Sequence, residues 1–547
     1  MNILSVETIK KQYREAPLFE QVSFGLDAGD RVGVIGLNGS GKTTLLRIVA
    51  GLEPPDSGRI AMAKGTRLAY LPQNPQLDAH LTVLEAVFAG DFPAATVLRD
   101  YEETTRALAR APDDAHLLER LDRLTTEMDT LNAWEAEHTA QTILERLGLA
   151  DYLASRLAVL SGGLRRRVAM AQALIAQPDL IICDEPTNHI DTETIAWLES
   201  YFARTTAALL LVTHDRYFLD RVVTRIVEID RGTLYTYQGN YTTFLEQKAA
   251  REARAVAEEE SRQNLLRKEL AWLRRGARAR STKQKAHVQR IHDLMEQTPY
   301  AAQEQVSIDA GSRRIGKRVV ELEHISKCYG SVTLINDFSL SMRADERLGI
   351  IGPNGSGKST LLNLIAGRVA PDAGQIVVGE TIHTAYYDQE NEALDESLRV
   401  IDYIREAAEA VRGSDGAQMT ATQMLERFLF VGKRQWAFIS TLSGGERRRL
   451  YLLRKLMLAP NLLLLDEPTN DLDIQTLTVL EDYLDSFKGA VVVVSHDRYF
   501  LDRTVQRLLA FAGDGSGTIR EYPGAYSVYE EYGRREAAEA AASEASA

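Results

Sequence analysis

The sequence predicts an α/β protein with two tandem phosphate-loop nucleotide-binding domains joined by an α-helical hairpin linker. Three observations carry that prediction. The octet Gly-x-x-x-x-Gly-Lys-[Ser/Thr] occurs twice, other landmarks recur at matched offsets from it, and 547 residues are too many for one hydrophobic core.

The first octet is Gly36, Leu37, Asn38, Gly39, Ser40, Gly41, Lys42 and Thr43, and the second is Gly352, Pro353, Asn354, Gly355, Ser356, Gly357, Lys358 and Ser359. Each closes an apolar strand and opens an apolar helix, into which Thr44 and Thr360 continue. In such a loop successive backbone N–H groups and the lysine cradle phosphates, while the hydroxyl of Thr43 or Ser359 holds magnesium.

The offsets point to a duplication. Tyr13 and Tyr329 each precede the loop lysine by 29 residues, and Gln73 and Gln389 each follow it by 31. Leu-Ser-Gly-Gly recurs at 160–163 and 442–445, with Glu185 and Glu467 each 24 residues beyond its serine. His214 and His496 follow those glutamates by 29. Only the interval from glutamine to serine differs, at 88 residues against 54, so the first copy carries 34 extra residues. They fall within about 93–145, where Leu117, Leu118, Leu121, Leu124 and Met128 keep helical spacing. The reading is a helical arm, either packed on its own domain or projecting toward a partner.

Residues 241–318 match neither copy. Acidic, alanine-rich sequence up to Glu260 leads into a helix with Leu266, Leu270 and Leu273 on one face. A second helix starts near Gln284, with Val288, Ile291 and Met295 on its face, and Gly276 permits the turn between them. The expected domains are therefore 1–240, the linker 241–318, 319–532, and an Ala/Glu/Ser-rich tail over 533–547 expected to be disordered.

In each half an apolar strand runs into an acidic pair, Asp184-Glu185 and Asp466-Glu467. Continuous apolar composition suits a central parallel strand, and the carboxyl ends of such strands are where these sheets bind ligands. The aspartate is placed to hold magnesium with Thr43 or Ser359, and the glutamate to orient or deprotonate water. His214 and His496 end further apolar strands, where recurrence favours contact with the transferred phosphate over a structural role. Gln73 and Gln389 complete the metal shell in this reading. Tyr13 and Tyr329 are candidates to stack on a base, with a packed core tyrosine as the alternative. Ser161, Gly162 and Gly163, like Ser443, Gly444 and Gly445, open a helix and form an anion site.

This combination, present twice, resembles the nucleotide-binding domains of ATP-binding cassette (ABC) proteins. The resemblance implies ATP with Mg2+, bound between one domain's phosphate loop and the other's Leu-Ser-Gly-Gly. One site would join Lys42, Glu185 and His214 to Ser443–Gly445, and the other Lys358, Glu467 and His496 to Ser161–Gly163. The segments Asp-Glu-Pro-Thr-Asn-His-Ile-Asp at 184–191, Asp-Glu-Pro-Thr-Asn-Asp-Leu-Asp at 466–473 and His-Asp-Arg-Tyr-Phe-Leu-Asp after each switch histidine resemble ABC-F proteins. The linker sequence at 272–280 is similar to the Uup-like subgroup, whose usual C-terminal coiled coil the chain lacks. Leu164 stands where Gln or Glu commonly follows Leu-Ser-Gly-Gly, which makes the Ser161 side the expected slower site.

A net charge of −13 conceals a basic linker, with ten Lys or Arg against Glu269 alone over 261–290. That imbalance argues for a polyanion, with pairing to acidic surfaces of the two domains as the alternative. Arg274, Arg275, Arg278, Arg280, Lys283 and Lys285 cluster at the inferred tip, placed to follow nucleic-acid phosphates. ABC-F resemblance implies the ribosome, with rRNA and tRNA contacted near the exit site by the linker and, in the projecting reading, the arm. A DNA repair or recombination ATPase is the alternative, and the ATPase subunit of a transporter a weaker one.

Composition excludes further classes. Two cysteines, Cys183 and Cys328, rule out iron-sulfur clusters and hence cluster-bearing ribosome-recycling ABC proteins. Hydrophobic content of 45% and 26% charged residues are those of a soluble globular protein. The N-terminus lacks a signal-peptide pattern and no apolar run reaches membrane length. A cytoplasmic monomer with an intramolecular head-to-tail cassette pair is expected.

Overall fold

The computed structural model describes all residues except 14–16, 90–94, 111, 113, 132, 189, 231, 275–317, 331, 389–393, 413–417, 471 and 545–547. In the first cassette, strands β1 (Asn2–Gln12), β2 (Pro17–Asp27), β3 (Arg31–Gly36), β4 (Ser57–Met62) and β5 (Leu68–Leu71) surround helix α1 (Lys42–Val49). Helices α2 (Val83–Val87), α3 (Ala95–Arg110), α4 (Ala115–Thr130), α5 (Trp134–Arg146) and α6 (Gly162–Ile175) follow. The chain then alternates through β6 (Leu180–Asp184), α7 (Thr192–Arg204), β7 (Ala208–Val212), α8 (Arg216–Val222), β8 (Arg225–Asp230) and β9 (Thr233–Gln238).

The main sheet has the order β5-β6-β7-β3-β8-β9, with every pair parallel except β8 with the antiparallel edge strand β9. All residues of β6 and β7 are buried, which is why both read as unbroken apolar runs. A separate antiparallel sheet, β2-β1-β4, covers α1 from the other side. The register sets β3, β6 and β7 side by side, so the first phosphate loop, Asp184-Glu185 and His214 all leave the same sheet edge.

Helix α9 (Tyr241–Arg274) leads out of the first cassette. It is continuous from Tyr241, so the acidic, alanine-rich stretch expected to precede the first linker helix belongs to that helix. Ala and Glu are strong helix formers, and their composition alone does not distinguish solvated helix from lead-in. The second linker helix lies outside the described residues.

The second cassette repeats the plan with β10 (Arg318–Tyr329), β11 (Val332–Arg343), β12 (Arg347–Ile351), α10 (Lys358–Ile365), β13 (Ala373–Val378), β14 (Thr384–Tyr387) and α11 (Val400–Ala407). A small hairpin, β15 (Ala410–Arg412) with β16 (Gln418–Thr420), precedes α12 (Ala421–Arg427) and α13 (Gly444–Met457). Then come β17 (Leu462–Asp466), α14 (Ile474–Ser486), β18 (Ala490–Val494), α15 (Arg498–Thr504), β19 (Arg507–Phe511), β20 (Ile519–Pro523) and α16 (Tyr526–Glu544). Its main sheet, β14-β17-β18-β12-β19-β20, has the same order as the first. Helix α16 runs through 533–544, a stretch expected to be disordered, because its Ala and Glu residues favour helix over coil.

The inserted region forms the helical pair α3 and α4. Leu98, Leu124 and Met128 are buried, and Leu98 and Met128 join the core of the first cassette, so the arm is seated on its own domain along this face. Trp134 of α5 braces it, with its ring edge-on to Tyr101 at 5.4 Å and its Nε1 donating to Asp129 at 2.6 Å. Leu118 remains half exposed at the outer end.

Candidate functional site

Each phosphate loop is shaped by glycines in the left-handed region. Gly41 has φ 99°, and a side chain there would meet Leu18 at 2.7 Å; Gly357 has φ 108° against Leu334. The loop lysine folds back across its own loop. Lys42 Nζ donates to the carbonyls of Gly36 at 2.8 Å and Leu37 at 3.1 Å, and Lys358 Nζ to those of Gly352 at 2.8 Å and Pro353 at 2.9 Å. Burial lowers the pKa of both lysines, while Glu185 and Glu467 oppose that shift.

The acidic pairs sit directly opposite. Asp184 is hydrogen-bonded by Thr43 and Asp466 by Ser359, and Tyr386 Oη also donates to Asp466 at 3.3 Å. Among the described residues, Asp184 Oδ2 and Asp466 Oδ1 are buried without a hydrogen-bonding partner. A hard cation takes oxygen ligands, and a hydroxyl beside a carboxylate with an unused buried oxygen is a donor set that fits Mg2+. Gln73 lines the same cleft as Thr43 and Asp184. Gln389 lies outside the described residues.

Both glutamates occupy the left-handed region, Glu185 at φ 55° and Glu467 at φ 49°. A non-glycine residue held there stores strain, on the order of 1–3 kcal/mol, and recurrence of the same strained position marks a functional constraint. The turn is fixed by Glu185 N–H donating to Val212 at 2.8 Å and Glu467 N–H to Val494 at 2.9 Å, so each glutamate is tied to the strand that delivers its histidine. His214 Nε2 lies 3.2 Å from Glu185 Oε1, and its backbone N–H donates to Oε2 at 3.3 Å. His496 Nε2 is 3.4 Å from Glu467 Oε1. Burial pushes both carboxyls up to about 8, helped for Glu185 by Asp184, and burial with Lys42 pushes His214 down to about 3. Burial makes the ionised form of each glutamate a stronger base than an ordinary carboxylate, and at the first centre it also keeps the neighbouring His214 neutral, a pairing suited to general-base chemistry.

The two cassettes meet over the first of these centres. A cleft of about 460 Å³ is lined by Tyr13, Asn38, Gly39, Gly41, Lys42, Thr43, Thr44, Gln73, Asp184, Glu185 and His214 from one cassette and by Ser443, Gly444, Gly445 and Arg448 from the other. Asn38 N–H donates to Asp473 Oδ2 across the boundary at 3.0 Å. The second centre has the mirrored relation: Asp191 faces Lys358, and Thr192 Oγ1 is 3.4 Å from His496 Nδ1. Ser161, Gly162 and Gly163 open α6, with Ser161 accepting from Leu164 N–H at 3.3 Å. Ser443 caps α13 in the same way.

Tyr13 and Tyr329 are half exposed and each lies under a lysine, Lys11 and Lys327, at 5.3 and 5.5 Å from the ring centre. The packed-core alternative for these tyrosines is thereby set aside. Arg448 and Asp473 were missed by residue-level reading, although Asp473 closes the Asp-Glu-Pro-Thr-Asn-Asp-Leu-Asp segment. Of the basic linker residues, Arg274 ends α9, and Arg275, Arg278, Arg280, Lys283 and Lys285 lie outside the described residues.

Among the described residues no helix is long and apolar enough to cross a membrane. A family model described as ABC transporter matches residues 19–188 and 335–470, and a second model with the same description matches 227–309. The chain is 50% identical over 531 residues to the uncharacterized ABC transporter ATP-binding protein YfmR of Bacillus subtilis, covering 97% of this chain and 84% of that one. It is 39% identical over 536 residues to the energy-dependent translational throttle protein EttA of Mycobacterium tuberculosis, covering 97% and 95%. The Escherichia coli EttA is 39% identical over 528 residues, covering 95% and 93%. Among solved structures, the archaeal ribosome recycling factor aABCE1 in complex with the stalk protein aP1 aligns with a TM-score of 0.62 at 19% identity, covering 94% of this chain and 89% of that one, a likeness of fold.

Proposed function

The chain belongs to the ABC family as a twin-cassette ATPase of the ABC-F type, and from that premise we propose that it binds two ATP molecules at shared sites and uses their hydrolysis to regulate its binding to the ribosome. The observation that carries the shared-site reading is the cleft in which Lys42, Glu185 and His214 face Ser443–Gly445. ATP bound there touches both cassettes, so its binding energy favours closure and its loss favours opening.

In this reading the phosphate-loop amides and Lys42 or Lys358 hold the β- and γ-phosphates. Thr43 with Asp184, and Ser359 with Asp466, would hold Mg2+, joined by Gln73 and Gln389; bound there, the ion neutralises charge on the transferred phosphoryl group. Glu185 or Glu467 orients water and accepts its proton, and His214 or His496 contacts the γ-phosphate. Ser161–Gly163 and Ser443–Gly445 present helix N-termini to the γ-phosphate of the opposite site. Tyr13 and Tyr329 stack on adenine.

The ribosome enters through two supports. EttA, similar over nearly the whole chain, is a translational throttle by name, and the segment 261–290 carries ten Lys or Arg against a single acid. Arg274, Arg275, Arg278, Arg280, Lys283 and Lys285 would follow rRNA or tRNA phosphates near the exit tRNA site, with the arm as a second contact. A cytoplasmic location accords with that partner. The finer placement with Uup-like proteins rests on the linker sequence at 272–280. DNA binding shares the basic linker as its support.

The test is the double variant Glu185→Gln with Glu467→Gln. ATP binds without turnover, and the trapped protein co-sediments with ribosomes in an ATP-dependent manner. Absence of that association, or preferential capture of DNA, overturns the translation reading while leaving the ATPase reading in place.

A further inference from the structure

Among the described residues, two buried arginine–glutamate pairs cross the boundary between the cassettes, each arginine two residues beyond a switch histidine, and Arg498 Nη2 also lies 3.8 Å from the Asp215 carboxylate. Arg216, after His214, gives both oxygens of Glu481 a hydrogen bond from Nη1, at 2.8 and 3.0 Å, and donates from Nη2 to the Ile474 carbonyl at 3.3 Å. Arg498, after His496, pairs with Glu199 through Nη1 at 3.3 Å and through Nη2. All four side chains are buried. Breaking a buried pair by removing one partner costs several kcal/mol, so such pairs hold geometry firmly even where they add little net stability.

The carboxylates are carried by helices that begin at the opposite catalytic centre. Helix α14 follows Asp466-Glu467, starts at Asp473 on the amide of Asn38, and presents Glu481 about two turns later to Arg216. Helix α7 follows Asp184-Glu185, starts beside His496 through Thr192, and presents Glu199 to Arg498. Each helix thus touches the other cassette's site at one end and that site's switch segment further along. Each glutamate also holds an arginine of its own cassette, Glu199 with Arg221 at 3.0 Å and Glu481 with Arg503 at 2.8 Å. Arg216 further packs over the Tyr499 ring at 4.7 Å.

We propose that Arg216 and Arg498 are positioning residues for hydrolysis, each setting the switch histidine before it only while the opposite cassette's glutamate holds it. Neither site then completes its catalytic geometry until the cassettes have closed. This rests on the reading of His214 and His496 as γ-phosphate contacts.

The experiment compares Arg216→Lys and Arg498→Lys, which keep the charge but lose the two-pronged grip. Each is placed in a Glu467→Gln or Glu185→Gln background, and single-turnover ATP hydrolysis reports the remaining site without requiring product release. With only the Lys42 site active, Arg216→Lys lowers the rate constant about tenfold while the ATP Kd stays within about twofold. With only the Lys358 site active, its effect stays within about twofold, and Arg498→Lys gives the mirror result. Equal slowing of both sites by each variant, no slowing, or weakened ATP binding at an unchanged rate overturns the proposal. Should either lysine variant fail to fold, the isosteric Glu481→Gln or Glu199→Gln is assayed for the same site preference. His214→Ala and His496→Ala serve as controls. If they leave the matched site at full rate, the reading of the histidines falls. If they slow it and the lysine variants do not, the positioning proposal alone falls.

Discussion

Arg434 grips Glu446 with both prongs of its guanidinium, Nε to Oε1 at 2.8 Å and Nη2 to Oε2 at 2.6 Å, and so fixes the residue that caps the second Leu-Ser-Gly-Gly helix. Glu446 Oε2 accepts from the Ser443 backbone at 2.8 Å, completing a capping box. At the corresponding positions of the first copy stand Tyr152 and Leu164, so Ser161 caps α6 without either partner.

That difference predicts unequal sites. Glu446→Leu removes the reciprocal cap, at a cost of about 1 kcal/mol, and slows the site that uses Ser443 several-fold. Leu164→Glu raises the thermal midpoint and speeds the Ser161 side. Burial opposes ionisation of Glu446, but the hydrogen bonds from Arg434 and Ser443 hold its pKa below the ordinary 4.5. A depressed carboxyl pKa contributes stability above the unfolded value, so the gap in thermal midpoint between the native chain and Glu446→Leu persists above pH 4.5 and closes below it. Site-resolved single turnovers and melting curves across pH check both effects.

Gly41→Ala breaks the first phosphate loop. Its φ of 99° and the 2.7 Å approach to Leu18 leave no room for a methyl group. Nucleotide affinity at the Lys42 site falls at least about tenfold, corresponding to the roughly 1–3 kcal/mol of strain a side chain adds there. Gly39→Ala, with φ 82° and open space around it, has the smaller effect of the two. Titration with a fluorescent ATP analogue ranks them.

Replacing Arg274, Arg275, Arg278 and Arg280 together with Glu weakens ribosome or RNA binding and flattens its dependence on salt. Each lost phosphate contact removes about one unit from the slope of log affinity against log salt. Sedimentation at several salt concentrations measures that slope, with ATP turnover followed in parallel. An equal fall in turnover would make the linker a structural brace.

Arg251→Ala loosens the root of the linker helix. Arg251 pairs with Glu228 at 3.0 Å and Asp230 at 3.3 Å, and lies over the Tyr235 ring at 4.0 Å, while Lys248 reaches Glu228 at 2.5 Å. The variant increases amide exchange in the first turns of α9 and weakens ATP-dependent ribosome association, with little change in ATP affinity. Hydrogen exchange read by mass spectrometry distinguishes a local opening from global destabilisation.

The residues that recur at fixed spacings were legible from sequence. The phosphate loops, the acidic pairs at strand ends and the switch histidines each need particular side chains at fixed spacings, so duplication exposed them, and the sheet order brings the first set into one cleft. The ion pairs between cassettes were not legible. Glu199 and Arg498 are 299 residues apart, and each alone resembles an ordinary charge on a helix; only the fold reveals that both are buried against each other. The left-handed backbone at Glu185 and Glu467 was equally hidden, since glutamate carries no preference for it. Alanine- and glutamate-rich stretches misled in the other direction. Their low apolar content reads as solvated chain, whereas α9 and α16 run through them as helix.

Helix α9 is held at its root. Asp220, on the helix that follows His214, accepts from the Thr242 backbone and hydroxyl, both at 2.9 Å, and so holds the first turn of α9. Its 34 residues extend about 50 Å at 1.5 Å per residue. A rotation of only about 5° at that anchor sweeps the far end through roughly 4 Å, about the spacing between neighbouring strands. Because its root is held by the helix that follows the switch histidine, a small rotation there becomes a displacement of several ångströms at the far end.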